Sequence, residues 1–262
     1  MLWIALVLGA VEGLTEFLPI SSTGHLIVAS ELLGFEGRRA EVFQIFIQLG
    51  AILAVAWEYR KRLGGLALAL PRDAAARGFA LKLALAFAPA AAVGLAAHEI
   101  LLEVLFAPVT VAAALIVGAG LILLVESLPL RARTHRAESV SWLQALAIGA
   151  AQCLALWPGF SRSAATILGG LGAGLDRRAA TEFSFFLAIP TMVGATLYDL
   201  LESHHWLEAG DALWLALAFA VAFVVAWGSI RWLLSYVATH SFRIFAWYRI
   251  AIGIVILAVF TR

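Results

Sequence analysis

The sequence predicts an all-α polytopic membrane protein: an inverted-topology repeat with about six transmembrane helices plus two re-entrant helix hairpins. Three observations carry this reading: a composition too apolar for water, two apolar stretches broken by polar turns, and a second half that superposes on the first. Hydrophobic residues fill 63% of the 262 positions and charged residues 13%, whereas soluble domains carry about a quarter charged residues. Eighteen Lys and Arg with 17 Asp and Glu cannot coat a soluble chain of this length. Runs such as 104–125 and 212–230 are almost free of charge and long enough to cross a bilayer. Their apolar residues are continuous rather than alternating, which argues against a transmembrane barrel.

A net charge of +1 gives no electrostatic case for nucleic acid as a partner. One cysteine, Cys153, excludes an intrachain disulfide and any cysteine-rich metal site. The first apolar run has no basic residues before it and no small-residue cleavage site after it, so the N-terminus reads as mature structure.

Full-length apolar segments lie at about 41–57, 79–98, 107–126, 181–201, 212–234 and 243–261. Two further regions do not fit a simple span. Residues 2–18 run into Pro19, and a polar stretch through His25 follows before a short apolar return at 26–33. Eight helical residues cover about 12 Å, too little for a hydrocarbon core of about 30 Å. The same grammar recurs at 140–157, where Pro158 and Gly159 precede a glycine-rich return to Gly174. Irregular polar backbone at membrane depth is tolerated only where protein buries it or a cavity adjoins it. Both regions therefore read as hairpins whose tips enclose something polar.

The halves superpose without a gap at an offset of 140 residues. Gly9 falls on Gly149, Leu14 on Leu154, Phe17 on Trp157, Ser21 on Ser161, Phe43 on Phe183 and Phe46 on Phe186. Repeat 1 is then 1–126, hairpin 2–33 plus three spans; repeat 2 is 140–262, hairpin 140–174 plus three spans. Three spans per half is odd, so the second half must be inverted. Inverted repeats with broken helices mark a substrate site near the bilayer midplane. Loop charges agree. Segments 58–78, 127–139, 175–180 and 231–243 hold twelve Lys and Arg, while 34–40, 99–106, 202–211 and Arg262 hold three. Positive-inside bias puts the basic set in the cytoplasm and both termini outside.

Glu12 and Glu16 are four residues apart and share a face of an otherwise apolar helix. Two carboxylates one turn apart repel unless a cation or a shared proton lies between them; the alternative is a helix near the interface whose carboxylates snorkel into water. Ser21, Ser22, Thr23 and His25 follow Pro19 at a helix start, where hydroxyls and free N–H groups make an anion site. Capping alone accounts for one hydroxyl, not for three and a histidine. A hydroxyl beside an imidazole is also the minimal kit for nucleophilic catalysis. In the second break Arg162 lies between Ser161 and Ser163, with Thr166 one turn on. An arginine fork suits bidentate capture of phosphate; a salt bridge from Arg162 to Glu12 or Glu16 is the competing and compatible reading. Gln44, Gln48 and Gln152 read as interhelical hydrogen-bond glue, and Trp206, Trp247 and Tyr248 as interfacial belt residues.

These residues resemble a known family. Glu12-Gly-Leu-Thr-Glu16 is similar to the (E/Q)xxxE motif of the bacterial undecaprenyl-diphosphate phosphatases of the bacitracin-resistance type. Pro158-Gly-Phe-Ser161-Arg162-Ser163-Ala-Ala-Thr166 is similar to that family's PGxSRSxxT motif, and the Leu-Pro-Ile-Ser-Ser-Thr-Gly-His stretch matches as well. The resemblance implies hydrolysis of a C55 isoprenoid diphosphate to the monophosphate, dependence on a divalent cation, recycling of the cell-wall lipid carrier, and a site at the hairpin tips that opens to the extracytoplasmic side of the inner membrane. On that reading Arg162, Ser21, Thr23, Ser161, Ser163 and Thr166 hold the diphosphate. Glu12 and Glu16 bind Mg²⁺ or Ca²⁺ or position water. Ser22 is the nucleophile, with His25 as base or as the nucleophile itself, and an apolar crevice takes the lipid tail. A second copy of the chain, forming a homodimer, is kept as a candidate partner. The rival from another class is a secondary transporter or lipid flippase, which needs a site but no nucleophile. An intramembrane serine protease is weaker, for the chain has no GxSxG or GxSG stretch.

Overall fold

Eleven α-helices are described in the computed structural model, which covers residues 1–35, 37–97, 104–105, 107–203 and 211–260. They are α1 (Leu2–Thr15), α2 (Ser22–Leu33), α3 (Arg38–Glu58), α4 (Arg60–Ala69), α5 (Ala74–Ala96), α6 (Pro108–Ser127), α7 (Trp142–Gln152), α8 (Arg162–Gly172), α9 (Arg177–Ser203), α10 (Ala212–Val237) and α11 (Arg243–Phe260). Five of them, α5, α6, α9, α10 and α11, contain stretches long and apolar enough to cross a bilayer. A sixth span arises if α3 and α4 are taken together across a 73° bend. The protein is therefore an all-helical, multi-pass membrane protein. Residues 98–103 and 204–210, which include His204, His205 and Trp206, lie outside the described residues.

Two segments expected as loops are partly helical. α4 occupies much of 58–78, and α10 continues through Arg231 to Val237. The bend before α4 has a local cause. Arg60, Lys61 and Arg62 follow an apolar helix, and the chain turns at Tyr59 (φ −95°, ψ 11°) so that these cations leave its axis. Arg62 then reaches Glu182 of α9 at 2.9 Å and also pairs with Glu138. Farther round, Arg177 pairs with Glu126, whose carboxylate also accepts from the backbone N–H of Phe242. Thr134 and Leu175 form an isolated bridge. The four basic segments thus meet one another, as their assignment to one face requires.

Each hairpin is two helices joined by a tight break. α1 ends at Thr15, and α2 starts only after the turn of residues 16–20. α2 is 12 residues long, more than the eight-residue return expected, yet at 1.5 Å per residue only about 18 Å. α7 opens with a Ser141–Gln144 capping box and runs through a 3₁₀ turn, Cys153–Leu156, into the second break. α1 packs on α10, and α7 packs on α5. Both contacts use a glycine to bring backbones together: a Cβ at Gly9 would lie 2.6 Å from the Ala218 carbonyl oxygen, and one at Gly149 would lie 2.6 Å from that of Ala86. Gln48 and Gln152 act as the expected interhelical glue. Thr196 donates to Gln48, Thr191 donates to Gln152, and Gln152 donates to the Ala86 carbonyl. An aromatic cluster of Phe17, Tyr59, Phe79, Phe183, Phe185 and Phe186 fills the core beneath the first break.

Candidate active site

The two breaks meet. Ser163 donates its hydroxyl proton to the Leu18 carbonyl at 2.9 Å, joining the second tip to the first. Ser21 and Ser161 take positive φ, 71° and 77°, and each caps the helix that follows, accepting from Gly24 N–H and Ala164 N–H respectively. Each break therefore ends at a helix start with free N–H groups, an arrangement that favours anions.

A chain of three polar side chains crosses the junction. Ser22 Oγ donates to Glu16 Oε2 at 2.5 Å. Glu16 Oε1 accepts from Arg162 Nη2 at 3.0 Å, across 146 residues of sequence. Glu16 is 9% exposed, and Glu12, one turn earlier, is 2% exposed; neither carboxylate snorkels into water. The expected competitor for Arg162, a salt bridge to Glu16, is present. It does not exhaust the guanidinium. Nη1 reaches the Ser184 carbonyl at 3.3 Å, Nη2 also touches Met192 Sδ, and the buried Nε has no partner among the described residues. The Phe17 ring lies 5.6 Å from its central carbon.

His25 is placed differently from the sequence expectation. Its Nδ1 lies 2.7 Å from the Ser21 carbonyl oxygen and its Nε2 lies 2.8 Å from the Tyr248 hydroxyl. Ser22 is paired with the carboxylate of Glu16 and not with this imidazole. Tyr248, expected in an interfacial belt, has its hydroxyl on His25.

The remaining hydroxyls divide. A carbonyl can only accept, so the single proton of Ser163 goes to Leu18, and the contact between Ser161 and Ser163 at 2.9 Å is donated by Ser161. Thr166 is buried against the carbonyls of Arg162 and Ser163 and the hydroxyl of Ser184. Ser21, Ser161, Ser163 and Thr166 thus shape the breaks, whereas Ser22 and Thr23 are half-buried.

Sequence reasoning missed Arg249. Its side chain is fully buried and donates to four carbonyls, those of Ala114 and Leu115 in α6, Pro19 in the first break and Gly159 in the second. One guanidinium therefore fastens both tips to α6. The signal was available: an arginine inside an apolar span is a functional candidate by default.

Glu12 and Glu16 offer only oxygen donors, the type that Mg²⁺ and Ca²⁺ take. Among the described residues no cluster of three or more His, Cys, Asp and Glu is arranged for a metal. Mg²⁺ is commonly bound by one or two carboxylates together with substrate phosphates, so this pair fits such an ion in company with a phosphate.

The comparisons with known proteins cover the whole of this region. The family model for bacitracin resistance protein BacA matches residues 5–255. An undecaprenyl-diphosphatase of Ectopseudomonas mendocina (strain ymp) is 54% identical over 254 residues, covering 97% of this chain and 92% of its own. One from Azotobacter vinelandii (strain DJ / ATCC BAA-1303) is 51% identical over 260 residues, covering 98% and 94%. A third, from Dechloromonas aromatica (strain RCB), is 54% identical over 254 residues, covering 97% and 93%. With the match running through both hairpins and the spans between them, the chain belongs to the BacA family of bacitracin resistance proteins.

Proposed function

We propose that this protein is an integral membrane phosphatase that hydrolyses undecaprenyl diphosphate to undecaprenyl phosphate and phosphate, recycling the cell-wall lipid carrier. The single observation that carries the chemistry is the Arg162–Glu16–Ser22 chain where the breaks meet. A carrier needs no hydroxyl hydrogen-bonded to a buried carboxylate, so the transporter reading is not favoured.

Ser22 Oγ attacks the terminal phosphorus, and its proton passes to Glu16. The bond from that phosphorus to the bridging oxygen breaks, and undecaprenyl phosphate leaves with the electron pair. Water then cleaves the phosphoserine and supplies the oxygen and both protons of the released phosphate, while Glu16 returns its proton to Ser22. Arg162 turns its fork toward the non-bridging oxygens, Nε included, and stabilises charge in the transition state. A divalent cation held by Glu12 and Glu16 supplies further neutralisation of phosphate charge when bound. Thr23 and the free N–H groups at the start of α2 hold the terminal phosphate; Ser21, Ser161, Ser163 and Thr166 serve by holding the backbone around it. His25 secures the break through the Ser21 carbonyl rather than taking the Ser22 proton.

The membrane placement belongs to the same proposal. The four joined basic segments face the cytoplasm, and the site and both termini face outward across the inner membrane. Repeats 1–126 and 140–262 are related by inversion, a reading supported by the matched serines and by the reciprocal packing of α1 on α10 and α7 on α5. A homodimer is part of the proposal only as a state to be measured. The test is phosphate release from C55 diphosphate by purified protein in lipid nanodiscs, with and without chelator. Turnover that stops on chelation and returns with Mg²⁺ or Ca²⁺ is expected; lipid movement without phosphate release supports the transporter instead.

A further inference from the structure

We infer that Tyr248 is a positioning residue for the nucleophile, acting through His25 on the first break. This inference rests on the reading of Ser22 given above, and adds to it a residue from the opposite end of the chain.

Donor and acceptor chemistry fixes the direction of the first contact, and that of the second for a neutral imidazole. The Ser21 carbonyl only accepts, so the Nδ1 of His25, 2.7 Å away, carries a proton. In the neutral imidazole Nε2 is then a lone pair, and the Tyr248 hydroxyl 2.8 Å away must be its donor. A path of two hydrogen bonds therefore runs from α11 through the imidazole to the peptide that immediately precedes Ser22. The rings of His25 and Tyr248 are also nearly coplanar in orientation, with 5° between their planes and centroids 5.5 Å apart.

The peptide at the end of this path is not at rest. Ser21 has φ 71°, a region that costs a non-glycine residue roughly 1–3 kcal/mol and is held only where surroundings over-determine it. The Ser21 hydroxyl is committed to the Gly24 N–H. Its carbonyl is committed to His25. Next to Tyr248 in α11, Arg249 holds the Pro19 carbonyl two residues earlier. Consecutive residues of α11 thus hold the break on both sides of Ile20, one directly and one through His25. The consequence is a fixed direction for Ser22, whose hydroxyl must meet Glu16 and later a phosphorus atom. Tyr248 is 42% exposed, and its hydroxyl is held on His25.

Tyr248→Phe keeps the ring and removes only the donor. In purified protein, its kcat for C55 diphosphate is expected to fall about fivefold to tenfold, the rate equivalent of one ordinary hydrogen bond, with KM and melting temperature held. A readout independent of turnover separates this idea from the proposed activity: ¹⁵N-histidine NMR of the full chain in nanodiscs, with His25 assigned by loss of its signals in His25→Gln. The Nε2 resonance of wild type should be that of a hydrogen-bonded acceptor, with Nδ1 protonated, and should move to the unbonded position in Tyr248→Phe. An unmoved Nε2 signal, or an Nε2-protonated tautomer in wild type, overturns the inference whether or not the protein is a phosphatase. An unchanged kcat with a shifted Nε2 overturns the positioning role while keeping the contact. A wild type with no phosphatase activity but with the expected NMR change defeats the functional reading alone.

Discussion

Ser21 and Ser161 share one backbone conformation, φ 71° and ψ 101° against φ 77° and ψ 118°, and among the described residues they are the only non-glycines at positive φ. Glycine fits such a position with less strain, so the retained side chains have a task, and each caps a helix. The two substitutions at Ser161 therefore separate strain from capping. Ser161→Ala loses the cap and keeps the strain, at a cost of about 1 kcal/mol; Ser161→Gly loses the cap and relieves the strain, costing only a few tenths. Thermal unfolding in detergent should rank wild type and Gly close together, with Ala lowest. An Ala variant as stable as Gly would mean that the unusual dihedral carries no strain.

The Ser22–Glu16 contact makes its own prediction. Ser22→Ala should lose several orders of magnitude in kcat while its melting temperature is maintained, and no phosphoenzyme should form. Recovery of a phosphohistidine at His25 from that variant would transfer the nucleophile's role to the imidazole.

Glu12 and Glu16 differ in their partners, and their variants should differ too. Glu16→Gln removes the carboxylate that takes the Ser22 proton and the charge facing Arg162, and activity should vanish. Glu12→Gln leaves both contacts of Glu16 in place, so turnover should persist at a lower level and need more Mg²⁺ or Ca²⁺ to saturate. Cation titrations of the two variants check this. Normal turnover by the double Gln protein would remove the pair from the mechanism.

Much of this arrangement is legible in the sequence, and the reasons are particular. Proline followed by clustered hydroxyls in an apolar stretch announces each break, because polar backbone at membrane depth must be buried in protein or border a cavity. Arg162 is conspicuous for the same reason, and its partner Glu16 is one of the two carboxylates that precede the first break. The pairing inside the site is less legible. Helical spacing brings Ser22 and His25 to mind together, yet the turn at residues 16–20 carries Ser22 back onto Glu16. Arg249 is visible as an arginine in an apolar span, but what it and Tyr248 hold is not, because their partners are backbone carbonyls 90 to 230 residues away and an imidazole 223 residues away. A carbonyl acceptor leaves no mark in a sequence.

Gly118 gives Arg249 its room. A Cβ built at Gly118 would overlap Nη2 of Arg249 more closely than any side-chain contact accepts. The guanidinium is held by four carbonyls and cannot simply swing aside, so Gly118→Ala should destabilise by about 1–3 kcal/mol, the usual cost of overpacking. Gly120→Ala is the control, for its Cβ would meet nothing within 4 Å. Melting temperatures of the pair should diverge. Equal values would show that Arg249 moves freely and does not fasten the breaks.

Arg162 faces two demands, and a lysine meets only one of them. As counter-charge to Glu16 it needs a cation within hydrogen-bonding reach, and an ammonium can supply that. As a phosphate clamp it needs two parallel N–H donors in a plane, which an ammonium cannot reproduce. Its geometry indicates the second demand, because one N–H edge holds Glu16 and the Ser184 carbonyl while buried Nε is left without a partner among the described residues. Removing one side of a buried, charge-assisted contact costs about 3–5 kcal/mol. At 1.36 kcal/mol per decade this is on the order of a hundredfold to several thousandfold in rate. Arg162→Lys should therefore fall by that factor in kcat/KM while its melting temperature stays near wild type, because the Glu16 charge remains balanced. Arg162→Ala should lose activity and stability together, since it leaves Glu16 buried without its counter-ion. If Arg162 only balanced Glu16, lysine would restore most of the rate, and that result would leave the phosphate clamp without support.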